Sequence, residues 1–156
     1  MDTKRLNYIL SVWDRAGERP YEALREESLY DDFINYLSEQ HEVLEWTIYR
    51  GTRRHNELEV GDTLNYQYPT SWSTGFDIAR KFIDKIPNSF ILSLTSETQL
   101  SMIYNYCNSY REDEVILAPY TLKIVGKHKE GDLTTRSSYA RSTANPSDLT
   151  TLEVGL

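Results

Sequence analysis

The chain has 156 residues, the length of one domain with a hydrophobic core, which excludes a large multidomain enzyme. Its 24 acidic and 17 basic side chains give a net charge of -7, which disfavours non-specific binding to a nucleic-acid backbone. The twelve tyrosines are the unusual feature of the composition. Because tyrosine combines apolar area with a polar tip, they indicate contact with a ligand.

Cysteine usage and the N-terminus indicate the compartment. Cys107 is the single cysteine, so no intramolecular disulfide can form, and no Cys and His cluster has the spacing of a metal site. Residues 1–15 lack the apolar core of a signal peptide, and no segment reaches the ~18 apolar residues of a membrane helix. We therefore expect a cytoplasmic protein, in the producing or the host cell, with no membrane partner; leaderless export is left open.

The first 43 residues predict helices. Gly17 and Pro20 follow an apolar stripe at helical spacing, which indicates one amphipathic helix. The stripe consists of Leu6, Ile9, Leu10 and Trp13. A second helical stretch is predicted to begin near Pro20 or Ser28, with a stripe of Tyr30, Phe33, Ile34 and Leu37.

From Trp46 onward the chain is rich in Ile, Val, Tyr and Thr, which predicts short β-strands. The segments are EWTIYRG, LNYQY, FILSLT, SMIYNY and EVILAPYTLKIVGK. Apolar residues at helical spacing predict one interrupting helix from Gly75 to Ile86, with capping-box spacing at Thr74 and Asp77. Helices followed by strands, without regular alternation, predict an α+β fold with a mainly antiparallel sheet.

The last part of the chain is polar. After Lys129, Ser, Thr, Gly, Asp and Asn dominate, which predicts a flexible tail over residues 131–156. Residues 1–130 are then expected to form a single domain, with a helical lobe at 1–43 and a β-rich core at 44–130.

Arg50 stands at the end of the segment EWTIYRG. Period-2 alternation places it on the face of Trp46 and Ile48, which we expect to be buried. A guanidinium there, next to Gly51, could clamp a phosphate, since its planar fork donates two hydrogen bonds and glycine admits a ligand close to the backbone. A strand-end arginine that reaches solvent or pairs with a carboxylate gives the same pattern and is the commoner case.

A hydroxyl cluster, Thr70-Ser71-Trp72-Ser73-Thr74, lies between a proline turn and the predicted helix. Ordinary helix caps have the same composition. No His and Asp are nearby and no G-x-S-x-G elbow is present, so the sequence disfavours a nucleophilic serine. A functional Ser71 would orient another group.

Glu112 and Glu114 flank Asp113 just before the apolar run from Val115. In an extended chain the two glutamates share one face, roughly 7 Å apart. In such a pair, one carboxylate can stabilise a developing cation while the other accepts a proton. An acidic turn before a buried strand is the simpler interpretation.

The order of the three patterns is more specific than any one of them. An Arg-Gly ending an early strand, a Ser-x-Ser opening a helix and a Glu-x-Glu before V-x-L-x-P resemble the Arg-Ser-Glu, cholera-toxin-like class of mono-ADP-ribosyltransferases. Around them, LEVGDTLNYQYPTSWS, ARKFI and EDEVILAPYTLKIVGK are similar to the family's serine segment, the helix behind it and its glutamate motif. The resemblance covers about residues 44 to 127. It implies N-terminal helices packed on a split, mainly antiparallel two-sheet core.

The resemblance also implies roles for individual residues. Arg50 would hold the NAD pyrophosphate and nicotinamide ribose, and the Gly51 backbone would contact the nicotinamide amide. Ser71 would brace the glutamate and the ribose. Glu114 would be the catalytic residue, bonded to the ribose 2′-hydroxyl, and Glu112 would activate the acceptor. The implied cofactor-binding set is Arg50, Gly51, Ser71, Trp72, Ser73 and Glu114. The family commonly has Thr where this chain has Trp72, which would be core or would line the nicotinamide pocket.

In this family a glutamate at the first position of the pair accompanies arginine acceptors. The resemblance therefore implies an NAD-dependent protein-arginine mono-ADP-ribosyltransferase that releases nicotinamide, uses no metal and contacts its target protein through Tyr106 or Tyr110.

Two alternative functions remain. An NAD glycohydrolase would share Arg50 and Glu114 but would not need Glu112. A non-catalytic inhibitor or binding module would keep only the fold. We expect a monomer, although the sequence leaves the oligomeric state open.

Overall fold

The structure is a computed structural model that describes residues 1–53, 58–83, 86, 88–106, 113–129 and 150–156. The helices within these ranges are α1 Thr3–Arg15, α2 Pro20–Glu26, α3 Tyr30–Glu39 and α4 Phe76–Lys81. The strands are β1 Glu42–Val43, β2 Ile48–Arg53, β3 Thr63–Asn65, β4 Thr70–Ser73, β5 Ser89–Leu94, β6 Gln99–Leu100, β7 Met102–Asn105, β8 Glu114–Leu117, β9 Thr121–Lys129 and β10 Thr150–Gly155.

The N-terminal helices follow the predicted pattern. Asp2 caps α1 by accepting a hydrogen bond from the backbone nitrogen of Arg5 at 2.8 Å. The second predicted stretch is two helices, α2 and α3, because the chain turns at Ser28, whose φ is 59°. Along the described residues, no helix has both the length and the apolar character needed to cross a membrane.

Helix α4 is shorter than the predicted span from Gly75 to Ile86, and the predicted capping box is wrong. Gly75 is the N-cap residue and makes no side-chain cap bond; its nitrogen donates instead to Ser73 Oγ at 3.0 Å. The nitrogen of Thr74 donates to the carbonyl of Asp113 at 3.2 Å. The backbone of Thr74 therefore bonds to the residue before β8, and Thr74 does not cap the helix.

The strands form two sheets, in agreement with the predicted α+β class. The larger sheet has the order β3-β9-β10-β5-β2-β4-β8-β7, and β1 pairs with β6 in the smaller one. Every described strand pair is antiparallel except β10 with β5. The sheet is therefore mainly antiparallel, as predicted.

Strand β10 corrects the prediction of a flexible tail. It lies inside the larger sheet, antiparallel to β9 and parallel to β5, with Leu152 and Val154 buried. The prediction of a tail over 131–156 is therefore wrong for residues 150–155, and the core does not end at residue 130; residues 130–149 lie outside the described ranges. The strand was missed because its partners are far away in sequence and its polar neighbours dominate the local composition.

Alternation along β8 divides the core into two faces. Val115 and Leu117 pack into the larger cluster of buried residues, whereas Ile116 packs against the N-terminal helices. Glu114 is two residues from Ile116 and lies on the same face of the strand, so it faces the helices.

Trp46 does not follow the predicted alternation, since it precedes β2 and is 58% exposed.

Candidate active site

Glu114 lies at the start of β8 and is only 4% exposed. Its Oε2 accepts hydrogen bonds from Trp13 Nε1, at 3.0 Å, and from Ser71 Oγ. Its Oε1 accepts one from Asn105 Nδ2 at 2.6 Å. The residue before it, Asp113, has a left-handed φ of 46°, a conformation that non-glycine residues adopt rarely and often near functional sites. A buried carboxylate is thus held by donors from three separate elements.

Strand pairing explains how Glu114 meets these partners. Glu114 is paired with Ser73 on β4 and with Asn105 on β7. The hydroxyl segment from Thr70 to Ser73 is a strand, not the predicted approach to a helix, and its alternation puts Ser71 and Ser73 on one face. Ser71 Oγ therefore reaches the Glu114 carboxylate, which is the kind of contact expected if Ser71 orients another group.

Trp72 points to the other face of β4. Its indole is buried in the larger core cluster, and Nε1 donates to Thr70 Oγ1 at 2.7 Å. The ring is therefore part of the core, one of the two alternatives expected from the sequence, while the residue also borders the cleft described below.

Arg50 lies in the middle of β2 and is half-buried. Its Nη1 donates to the carbonyl oxygen of Ser71 at 2.9 Å, and its guanidinium carbon lies 5.5 Å from the ring centre of Tyr66. Its Nε is buried and has no hydrogen-bond partner among the described residues. A buried donor without a partner is costly, which makes Arg50 a fitting contact for an anionic ligand.

A cleft of about 890 Å³ opens between the α1–α2 turn, β2, β4 and α4. All six residues of the predicted cofactor-binding set line it: Arg50, Gly51, Ser71, Trp72, Ser73 and Glu114. The aromatic residues Tyr21, Tyr49 and Tyr68 line it as well. This volume lies in the range of small-molecule and cofactor pockets.

Two further side chains surround Glu114 and were not predicted as site residues. In the sequence Trp13 belongs only to the apolar stripe of α1, and Asn105 carries no signal. Asn105 Nδ2 also donates to Asp14 Oδ1 at 3.0 Å. Burial, and after it the negative charge of Glu114, raises the pKa of Asp14, while the hydrogen bond from Asn105 acts in the opposite direction. These contacts join residues 91 and 101 positions apart, so no local pattern could reveal them.

The predicted residues for the acceptor side are only partly described. Glu112 and Tyr110 lie outside the described ranges. Tyr106 is 88% exposed and stacks on Tyr104 with ring centres 6.0 Å apart. Within the described part of the chain, no cluster of three or more His, Cys, Asp or Glu side chains could hold a metal ion.

Comparison with known proteins gives a fold but no sequence family. No protein-family model and no curated protein sequence matches the chain. Among solved structures, the ADP-ribosyltransferase Vis in complex with agmatine is 23% identical, with a TM-score of 0.54 over 97% of this chain. Vis is a toxin from Vibrio splendidus, and the present chain spans 66% of it, just under two thirds.

Two other solved structures are similar at lower identity. The ATR domain of Salmonella SpvB is 18% identical, with a TM-score of 0.55 over 97% of this chain and 83% of that domain. The enzymatic component C2-I of the Clostridium botulinum C2 toxin is 13% identical, with a TM-score of 0.59 over 99% of this chain and 44% of the toxin component. At these identities the likeness concerns the fold, and the chain has the fold of the mono-ADP-ribosyltransferase toxins.

Proposed function

We propose that this chain is an NAD-dependent mono-ADP-ribosyltransferase that transfers ADP-ribose from NAD to an arginine of a target protein and releases nicotinamide. The observation that carries the proposal is Glu114, a buried carboxylate with three side-chain donors that lines a cleft also lined by Arg50. The fold shared with ADP-ribosyltransferase toxins supports it.

Glu114 would act by electrostatics. When the bond between ribose C1′ and the nicotinamide nitrogen breaks, both electrons leave with nicotinamide, and positive charge develops on the ribose. A fixed carboxylate beside that charge stabilises the transition state more strongly than water does, because the site is already oriented and has a low dielectric constant. Ser71, Trp13 and Asn105 hold the carboxylate in place by donating to it.

Arg50 would bind the anionic part of NAD. Its guanidinium offers the buried Nε–H donor, and the bond from Nη1 to the Ser71 carbonyl fixes its direction. A planar guanidinium donates in bidentate fashion to phosphate oxygens, which a lysine cannot reproduce.

The acceptor is proposed to be arginine on two grounds. The similar protein Vis was crystallised with agmatine, a compound that carries a guanidinium group. The chain also has a glutamate at position 112, where the family resemblance implies activation of such a group. In the transfer, a guanidinium nitrogen bonds to ribose C1′ and loses one proton, which Glu112 would accept.

The test is incubation of the purified chain with labelled NAD, first with agmatine and then with a cell lysate. We expect nicotinamide release, labelled agmatine and labelled protein, with the label on arginine by mass spectrometry. Glu114→Gln should reduce all of these by roughly a hundredfold or more. Glu59→Gln is the matched control, because Glu59 pairs with Lys127 and does not line the cleft. An intact NAD pool with no labelled product would overturn the proposal.

Glu112→Gln separates transfer from hydrolysis. If Glu112 activates the acceptor, this variant loses transfer to agmatine but keeps NAD cleavage. If water is the natural acceptor, as in an NAD glycohydrolase, the wild-type protein cleaves NAD without labelling agmatine or protein. Label found only on other residue types would reject arginine as the acceptor.

Tyr106 is proposed to contact the target protein. Its ring is exposed and stacks on Tyr104, which belongs to the same strand, β7, as Asn105. Tyr106→Ala should weaken labelling of the protein target and leave transfer to agmatine unchanged, because agmatine is too small to reach a surface outside the cleft. Tyr110→Ala, tested in the same way, compares the second candidate.

A further inference from the structure

We propose that two residues of α1, Trp13 and Asp14, are positioning residues for Glu114, so that the N-terminal helix is part of the active site. Trp13 acts directly and Asp14 acts through Asn105. The inference rests on the proposed function, because it assigns a role in the reaction of that same carboxylate.

The amide of Asn105 joins the two carboxylates. Its Nδ2 lies 2.6 Å from Glu114 Oε1 and 3.0 Å from Asp14 Oδ1. An amide nitrogen has two hydrogens, so it can donate one to each carboxylate. If the amide were flipped, its oxygen would face two acceptors and neither of these hydrogen bonds would form. Asp14 thus adds to the preference for the orientation in which the nitrogen of Asn105 faces Glu114.

Trp13 holds the other oxygen of the same carboxylate. The indole nitrogen is a donor only, and it donates to Glu114 Oε2 at 3.0 Å, the oxygen that also accepts from Ser71 Oγ. The Trp13 ring is buried and packs against Phe33 with centres 5.7 Å apart. Donors on both oxygens fix the plane of the carboxylate as well as its position.

The placement of Asp14 has a cost that packing alone does not explain. It puts a second carboxylate, partly buried, next to the charge of Glu114, and its pKa is raised as a result. Active sites commonly retain such unfavourable arrangements where a precise orientation is needed. A side chain needed only to fill space would carry no charge here.

Asp14→Ala and Asp14→Asn test whether Asp14 positions Glu114 through Asn105. The alanine removes the acceptor, whereas asparagine keeps an oxygen that can accept from Asn105. We expect Asp14→Ala to lower kcat for NAD cleavage by roughly 10- to 100-fold with little change in KM for NAD, since a small misplacement of a reacting group has such an effect. Asp14→Asn should keep most of the wild-type kcat.

Trp13→Phe tests the direct contact. It removes the indole donor and keeps an aromatic ring against Phe33, so kcat should fall while the thermal unfolding midpoint changes little. Equal kcat in the wild type, Asp14→Ala and Trp13→Phe would overturn the inference, as would equal losses in the two Asp14 variants.

A second measurement does not depend on turnover. Asn105→Leu should move the NMR resonance of the Trp13 indole N–H, because Asn105 and Trp13 donate to the two oxygens of the same Glu114 carboxylate. An unmoved resonance would contradict the coupling. A wild-type protein that does not cleave NAD would reject the proposed function, a result distinct from an active wild type with unaffected variants.

Discussion

A Cβ atom at Gly51 would lie 2.4 Å from the carbonyl oxygen of Ala79 and 3.0 Å from the side chain of Ile83. Strand β2 and helix α4 therefore approach each other at a point where only glycine fits. The same glycine lines the cleft. Its role in the packing of α4 is separate from the contact with a ligand that the sequence predicts for it.

Gly51→Ala should destabilise the protein by about 1–3 kcal/mol, because the added methyl group meets backbone that cannot move without shifting α4. The free energy of unfolding from urea titration measures this change. Gly155→Ala is the matched control, since its Cβ would meet only Val125, at an ordinary 3.9 Å. Equal stability of the Gly51 variant and the wild type would contradict the close approach.

Arg50→Lys should weaken NAD binding about 10- to 100-fold, as expected for the loss of charge-assisted hydrogen bonds worth ~1.5–3 kcal/mol. Lysine keeps the positive charge but has no planar fork. Isothermal titration with NAD measures the dissociation constant. Arg5→Lys, at an arginine paired with Asp32 outside the cleft, should bind as the wild type does. Unchanged affinity in Arg50→Lys would rule out the bidentate contact.

Glu114→Gln should lower the pKa of Asp14. Burial is the larger cause of the raised pKa and stays in the variant, but the negative charge of Glu114 is removed. The pKa should therefore move toward the ordinary value without reaching it. Carbon-13 NMR of labelled aspartate carboxyls during a pH titration would follow this change. An Asp14 pKa identical in both proteins would show that the two carboxylates do not interact.

Asp14→Asn should raise the thermal unfolding midpoint at neutral pH. A carboxyl group whose pKa is higher in the folded than in the unfolded state binds protons more readily when folded. Its ionisation therefore reduces stability as pH rises from the ordinary aspartate pKa through the raised one. Below that window the group is protonated in both states, so the stabilising effect should disappear in acid. Scanning calorimetry at several pH values compares the two proteins.

Removal of residues 150–156 should abolish folding. Strand β10 connects β9 to β5, and its loss would leave each of these strands with one unpaired edge in the middle of the sheet and expose their apolar side chains. Circular dichroism and thermal unfolding would report the change. Removal of Leu156 alone, which is 60% exposed, is the control and should leave the fold intact. A folded truncated protein would contradict the central position of β10.

The sequence predicts the outline of the site better than its surroundings. Arg50, Ser71 and Glu114 each stand in a short pattern, the order of the patterns resembles a known family, and the three residues line one cleft. Trp13 lacks such a signal because its contact with Glu114 joins residues 101 positions apart, and Asn105 lacks one because the pairing of β7 with β8 places it beside Glu114. Residues that belong to a short motif can be predicted from the sequence. Residues that the fold brings together from separate segments cannot be predicted in this way.

The same distinction applies to secondary structure. The stripe of α1 is a strong local signal and is confirmed. The segment Thr70–Ser73 looks like a helix cap by composition, and it becomes a strand because β2 and β8 lie on either side of it. Tertiary pairing overrides a weak local preference in this case.

Strand β10 also sets the order of events during synthesis. Its neighbours β5 and β9 are made well before residues 150–155, yet they can be joined only when β10 has left the ribosome. Until then the sheet that carries Arg50 and Glu114 is incomplete. A ribosome that is still translating the chain would therefore hold a protein whose larger sheet is incomplete, and the sheet becomes continuous only after residue 155 has emerged.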